Sequence, residues 1–242
     1  MSWYNEDMII TKTHSYNNHQ IAVALHEADS KKIVIFCHGF RGSSTGPARF
    51  FVRAARQLET AIISSVRFDQ YGSGNSEGEF EESRFDDWIA TTVAIAREYM
   101  SQGYAVALFG QSMGASTVIN AAMQLPELRG FVAWVPDATI RPPQTDGEFM
   151  EEGGQRVSWD FWRQAHAAQT ATTLSQVTCP GLIVQCTDDE YVDDDNRQAI
   201  SKAALPHHRV ATYEDYSHSS WSYQQASSII DDSVHFLADI LN

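Results

Sequence analysis

Residues 110–114 read GQSMG: two glycines bracket a single serine, with the apolar run AVALF before them and the alanine-rich ASTVINAA after them. A serine held on a sharp turn between a strand and a helix is the arrangement of a nucleophile elbow, with its hydroxyl lifted clear of the sheet. A side chain at Gly110 or Gly114 is expected to collide with the neighbouring strand or helix. The turn itself forces Ser112 into an unfavourable backbone conformation. A serine hydroxyl is a weak nucleophile near neutral pH, so it needs a base, and the base needs an acid to orient it. In a strand–turn–helix setting both partners should follow the serine, acid before histidine, on loops after later strands.

The chain offers both in that order. TDDEYV at 187–192 follows the apolar run GLIVQC, and YSHSSW at 216–221 follows RVATYED. Of nine histidines, His218 is the one expected on a loop between the final strand and the last helix. Asp188 and Asp189 are adjacent and cannot both face it. Asp189 is the preferred acid, Asp188 a loop former, and Asp193 or Asp194 the cap of the next helix. The acidic stretch 188–195 lacks the ligand spacing and the glycine of a calcium loop, so no metal is expected there. Acyl transfer also places negative charge on a carbonyl oxygen, which preorganised backbone N–H groups stabilise. Met113, directly after the serine, is one such donor. Phe40, in the loop His38-Gly39-Phe40-Arg41-Gly42, is the other, and its ring is expected at the acyl pocket. His38 lies upstream of the serine and reads as a structural loop residue.

These groups need a scaffold to bring them together. Strand-like runs fall at 8–13, 21–27, 33–39, 61–69, 105–110, 131–137, 181–186 and 209–215. From residue 33 onward most are continuously apolar, as strands buried on both faces must be. Helical periodicity fills 47–58, 84–100, 113–124, 194–204 and 220–241, with Ser83 as the expected N-cap of the second. Strand and helix in alternation imply crossover connections and a mostly parallel α/β sheet, with an antiparallel start where the first strands lack helices between them. One interval is too long for a plain crossover. Residues 138–172, opening on Arg141-Pro142-Pro143, are expected to form a small cap inserted after the sixth strand. Its aromatics Trp159, Phe161 and Trp162 either line the substrate pocket or pack the cap onto the body.

A chain of 242 residues with 43% hydrophobic content suits one domain with a substantial core. Its net charge of −14, with only four lysines, argues against nucleic acid and anionic membranes as partners. Neither end reads as a targeting segment, and no apolar run reaches 18 residues. Three cysteines, two of them in strand-like runs, do not suggest a disulfide framework. A cytoplasmic monomer or homodimer is the expectation, and the serine, acid and histidine above suggest a small-molecule ester as its substrate.

HGF at 38–40, RFDQYGSGNSEG at 67–78, GQSMG, Asp189 and His218 together resemble the α/β-hydrolase superfamily over nearly the whole chain. The second block is similar to the D-x-R-G-x-G-x-S segment common there, with Tyr71 in place of the arginine. HGF followed by TGPARFF and SEGEF resembles the serine-aminopeptidase-like and cinnamoyl (feruloyl) esterase-like branch. The resemblance implies an eight-stranded sheet, a small cap after strand six, a serine esterase mechanism and no cofactor. It leaves open ester, thioester, amide or peptide cleavage, acyl transfer to another acceptor, and a binding module that keeps the fold without catalysis.

Overall fold

The computed structural model describes residues 9–16, 19–141 and 148–242. Met8, at the head of the first expected strand, lies outside the described residues, as do the rest of the N-terminal segment and Pro142-Pro143.

Eight strands form one sheet: β1 (Ile9–Tyr16), β2 (His19–His26), β3 (Lys32–Cys37), β4 (Ser64–Phe68), β5 (Ala105–Gln111), β6 (Gly130–Trp134), β9 (Gly181–Cys186) and β10 (His208–Tyr213). Their spatial order is β1-β2-β4-β3-β5-β6-β9-β10. β1 pairs antiparallel with β2, and β2 with β4; every later pairing is parallel. The helices are α1 (Phe50–Thr60), α2 (Phe85–Ser101), α3 (Met113–Ala122), α4 (Trp159–Ala167), α5 (Thr170–Leu174), α6 (Asp194–Ala203) and α7 (Tyr223–Leu241).

The unbroken apolar strands bury both faces. Along β3, Ile33, Ile35 and Cys37 join a core that includes Trp88, Val118 and Ile119 from α2 and α3. Val34 and Phe36 point the other way, into a core with Phe51 and Leu58 of α1 and Ile230 and Leu237 of α7. Trp134, fully buried in that second core, donates its indole N–H to Ser233 Oγ at 2.9 Å, which satisfies the polar atom that burial would otherwise strand.

Two local features differ from the sequence reading. Ser83 does not cap α2; the preceding position is Arg84, in extended conformation. Ser83 Oγ instead accepts the indole N–H of fully buried Trp88 at 2.7 Å, a partner that tryptophan needs more than the exposed helix end needs a cap. The long interval after β6 also contains a hairpin, β7 (Phe149–Glu152) paired antiparallel with β8 (Gln155–Ser158). Its two-residue loop is Gly153-Gly154, both with positive φ, as a type I′ turn demands. The four-residue strands, half-exposed and rich in glutamate, carry too little alternation to stand out in the sequence.

After the hairpin, Ser158 caps α4 by accepting the Phe161 amide at 3.2 Å. Phe161 is fully buried among Phe80, Phe85 and Trp88, with ring centroids 5.3–6.1 Å away. The insertion is thus riveted onto the body beside the C-terminal edge of the sheet. Among the described residues no helix is long and apolar enough to cross a membrane, and the three cysteines are free.

Candidate active site

Ser112 stands where β5 ends and α3 begins, with φ 56° and ψ −123°, a strained conformation for a residue with a side chain. The two glycines explain why the turn can be this tight. A Cβ on Gly110 would lie 2.1 Å from the Gly114 carbonyl oxygen, and one on Gly114 would lie 2.2 Å from that of Cys37. The Ser112 amide is tied to the Trp134 carbonyl on the adjacent strand at 2.8 Å. Although Ser112 occupies the N-cap of α3, its hydroxyl does not cap the helix. It is left for another partner, and the positive end of the helix faces it.

That partner is His218. Its Nε2 lies 2.8 Å from Ser112 Oγ, and its Nδ1 lies 2.8 Å from Asp189 Oδ2. The three side chains arrive from loops after β5, β9 and β10, and the imidazole and carboxylate are nearly closed off from solvent. Asp189 uses its other oxygen, Oδ1, to accept the backbone amides of Tyr191 at 2.9 Å and Val192 at 2.8 Å. Both oxygens are therefore committed, one to shaping its own loop and one to fixing the histidine. Asp188 is exposed, and among the described residues only its backbone is engaged, its amide donating to the Tyr216 carbonyl at 2.9 Å. Asp193 is the N-cap of α6.

The loops that carry acid and histidine are stitched together. Thr187 donates to the Tyr213 carbonyl, Asp215 to Thr187 Oγ1, and the His218 amide to Glu190 Oε2 at 3.1 Å. Behind them, Trp221 donates its indole N–H to the Ser217 carbonyl and packs on Phe50 and Trp134. His218 is held from both sides before any substrate arrives.

On the other side of Ser112 lies the loop after β3. His38 is fully buried; its Nδ1–H donates to the Gly39 carbonyl at 2.8 Å, and its Nε2 accepts the Gln70 amide at 3.0 Å. This fixes one neutral tautomer, and burial lowers its pKa further, so it serves the loop and not proton transfer. Asp69, in the segment resembling D-x-R-G-x-G-x-S, accepts the amides of Ser44 and Asn75 and so binds the two loops together. Gly74 has to lack a side chain because the Asp69 carboxylate occupies that space. Tyr71, at the arginine position of the pattern, donates to Glu82 at 2.9 Å, away from Ser112.

Phe40 and Met113 both border the cavity that holds Ser112 and His218. Met113 is the first residue of α3, where an amide has no partner within the helix. Phe40 donates to no protein acceptor among the described residues. The cavity measures about 690 Å³. Of the four aromatics expected at the pocket, Phe40 and Trp162 line it, their rings 4.8 Å apart. Phe161 does not, because it is consumed by packing the insertion onto the body. Trp159 borders a separate charged depression with Glu81, Arg84 and Arg163.

The sequence did not assign several other residues to the cavity wall. Arg41 and Glu152 pair at 3.0 Å across the gap between the β3 loop and the β7–β8 hairpin. Asp137, Asp193 and Tyr191 also line it. Asp137 follows β6 after a backbone reversal at Val135, where φ is 47°. Burial pushes its carboxyl above the usual range, against the opposing pull of the Thr139 amide it accepts at 3.0 Å. The signal for these residues was positional: Asp137 and Tyr191 both stand just past the C-terminal ends of parallel strands, where open α/β sheets bind ligands. Among the described residues no cluster of side chains could hold a metal ion.

Solved structures share this fold over almost their full length. Est1E from Butyrivibrio proteoclasticus, in its ferulic acid complex, superposes with a TM-score of 0.84 at 20% identity, covering 94% of this chain and 98% of that one. A monoacylglycerol lipase from Paleococcus ferrophilus gives 0.78 at 16% identity, covering 91% and 99%. Among curated proteins, alpha/beta hydrolase domain-containing protein 17B of Xenopus tropicalis is 22% identical over 166 residues, which are 68% of this chain. The chain spans about half the length of the curated relatives it matches. The family model described as serine aminopeptidase, S33 matches residues 28–152, from before the β3 loop, through the serine turn, to the end of β7. With its mostly parallel eight-stranded sheet and its serine turn at the C-terminal edge, the chain belongs to the serine aminopeptidase, S33 family of α/β-hydrolases.

Proposed function

We infer that the protein is a carboxylesterase-type serine hydrolase, with Ser112 as nucleophile, His218 as base and Asp189 as the orienting acid. The observation that carries this reading is the relay of two 2.8 Å hydrogen bonds from Ser112 Oγ through the imidazole to Asp189, at the wall of a cavity large enough for a small or medium ester. Residues 138–172 act as the cap of a single-domain enzyme, and no cofactor takes part.

The reaction follows from the geometry. As Ser112 Oγ attacks the ester carbonyl, His218 Nε2 takes its proton. Asp189 keeps the Nδ1–H tautomer and supports the imidazolium charge. The carbonyl oxygen, now negative, sits between the Phe40 and Met113 amides, each such donor being worth about 2.7–4 kcal/mol. The alcohol leaves with the proton from His218. Water then enters, gives its proton to the same nitrogen, and attacks the acyl-enzyme; the acid is released and Ser112 regains its proton.

Phe40 and Trp162 supply an apolar wall suited to an aliphatic or aromatic acyl group. A second reading, cleavage of an aminoacyl amide, is favoured by the description of the matched family as serine aminopeptidases and by the acidic groups Asp137 and Asp193 on the cavity wall.

A fluorophosphonate probe tests the nucleophile: it should label the folded protein and fail on Ser112→Ala. Steady-state rates on p-nitrophenyl esters, acyl-CoA thioesters and aminoacyl anilides then rank the substrate classes. Background turnover of esters beside brisk cleavage of anilides would replace the first reading with the second. Equal labelling of wild type and Ser112→Ala would remove both.

A further inference from the structure

Four large hydrophobic residues are exposed among the described residues: Ile62, Met123, Tyr191 and Tyr223. Isolated exposed apolar side chains are ordinary. Tyr223 has the Arg53 guanidinium over its ring at 4.4 Å, and neither it nor Ile62 nor Met123 borders the cavity. Tyr191 differs in place. It is 73% exposed, it borders the cavity, and its ring meets the His218 imidazole nearly edge-on with centroids 5.1 Å apart.

The backbone at Tyr191 is also held in place. Its amide and that of Val192 both donate to Asp189 Oδ1, the oxygen that does not face His218. The same carboxylate that orients the base therefore fixes the backbone that presents the ring. A large ring held in the open beside a histidine, with little protein packed on it, is a surface for something that arrives from solution.

The reaction geometry says which part of the substrate that is. The carbonyl carbon meets Ser112 Oγ, and its oxygen turns toward the Phe40 and Met113 amides. The ester oxygen that departs has to lie within reach of His218 Nε2, which protonates it. The alcohol portion consequently projects past His218, and Tyr191 is the cavity-lining ring in contact with that imidazole, whereas Phe40 and Trp162 pack on each other. We propose that Tyr191 is the leaving-group platform, a specificity-determining residue that stacks on an aromatic alcohol portion of the substrate. The proposal rests on the serine-esterase reading above. It adds that the natural alcohol is aromatic, and that the contact acts in acylation only, since the alcohol has gone before water attacks.

The test compares benzyl and n-propyl esters of the same acid, so that acyl group and acyl-enzyme are shared. Tyr191→Ala should lower the benzyl-to-propyl ratio of kcat/KM by about three- to tenfold, the range of an aromatic pair. Tyr191→Phe should keep the ratio. The decay rate of the common acyl-enzyme, followed in a single turnover, serves as the internal reference. An unmoved ratio in Tyr191→Ala, an equal loss on both esters, or a loss confined to acyl-enzyme decay would each overturn the proposal; the last two would mean that Tyr191 acts through His218. Failure of the underlying reading looks different: the wild-type protein would then form no acyl-enzyme on Ser112 at all.

Discussion

Replacing Asp189 by asparagine keeps the size of the side chain and changes one donor–acceptor relation. In the wild-type structure Oδ1 accepts two backbone amides, at 2.9 and 2.8 Å, and Oδ2 accepts His218 Nδ1–H at 2.8 Å. Asparagine has one acceptor oxygen. If that oxygen stays with the Tyr191 and Val192 amides, the NH₂ faces His218 and forces Nδ1 to accept. The proton then sits on Nε2, donates to Ser112, and the imidazole can no longer remove the serine proton. If the amide turns round instead, two backbone N–H groups face an NH₂. The Tyr191 amide is exposed and can turn to water, but leaving the more buried Val192 amide unsatisfied costs about 1–3 kcal/mol. The flipped arrangement therefore also carries a cost. A wrong tautomer at this position costs about 10⁴ in kcat, or about 5.4 kcal/mol at 1.36 kcal/mol per decade. Asp189→Asn should therefore lower kcat on an activated ester about 10⁴-fold with a much smaller change in KM. Asp188→Asn, with its exposed side chain, should stay within a few-fold of wild type. Steady-state kinetics of both variants, with circular dichroism to verify folding, decide the matter. A larger loss in Asp188→Asn, or a loss under tenfold in Asp189→Asn, would falsify the assignment of the acid.

Other consequences are open to measurement. Ser112→Gly should abolish activity yet stabilise the fold by about 1–2 kcal/mol, because glycine relieves a strained φ of 56°; an unchanged or lower Tm would show that the turn carries no strain. His208 Nδ1 accepts the Leu205 amide at 3.0 Å, and burial, together with neighbouring His207, lowers its pKa from 6.5 to about 4. The unfolded chain thus binds a proton that the fold refuses between these values. The stability this residue confers is complete above pH 6.5 and disappears as pH falls toward 4, about 3 kcal/mol over the full interval. His208→Gln should flatten that part of the stability profile in denaturant titrations, and an unaltered slope would assign the acid lability elsewhere. Gly153 and Gly154 both have positive φ, but a Cβ on Gly153 would also lie 2.0 Å from Arg41 Nη1, while Gly154 faces open space. Gly154→Ala should cost about 1–2 kcal/mol for the backbone alone. Gly153→Ala should cost that and also displace Arg41, lowering esterase activity; equal behaviour of the two variants would show that the Arg41 contact is idle.

The sheet was legible in the sequence because its strands are buried on both faces and appear as unbroken apolar runs, IVIFC and GLIVQC among them. The meeting of Ser112 and His218 was legible because loops after successive parallel strands converge at one edge of such a sheet. Asp189 was preferred over its neighbour from the sequence, and it is the carboxylate that the structure brings to the imidazole. The insertion was harder to read. Its length announced it, but its hairpin is short, acidic and half-exposed, and Phe161 looks no different from Trp162 in sequence. One is a rivet and the other borders the cavity, a distinction set by three-dimensional packing on Phe80, Phe85 and Trp88. Tyr191 escaped notice for a related reason: nothing in a linear pattern tells an exposed loop tyrosine from one whose ring meets His218.

The Arg41–Glu152 pair bears on how substrate range can be altered in this scaffold. Caps are natural targets for exchange between related hydrolases, since they border the pocket without supplying the nucleophile. Here the residue next to Phe40 reaches across to the hairpin, and the hairpin has left room for it by keeping glycine at 153. A transplanted cap lacking an acid at 152 would arrive without its partner for Arg41, and one bearing any side chain at 153 would displace the Arg41 guanidinium from its place beside the hairpin. Two residues of the recipient's loop and two of the donor's hairpin thus form a unit of inheritance, to be carried over together or redesigned together.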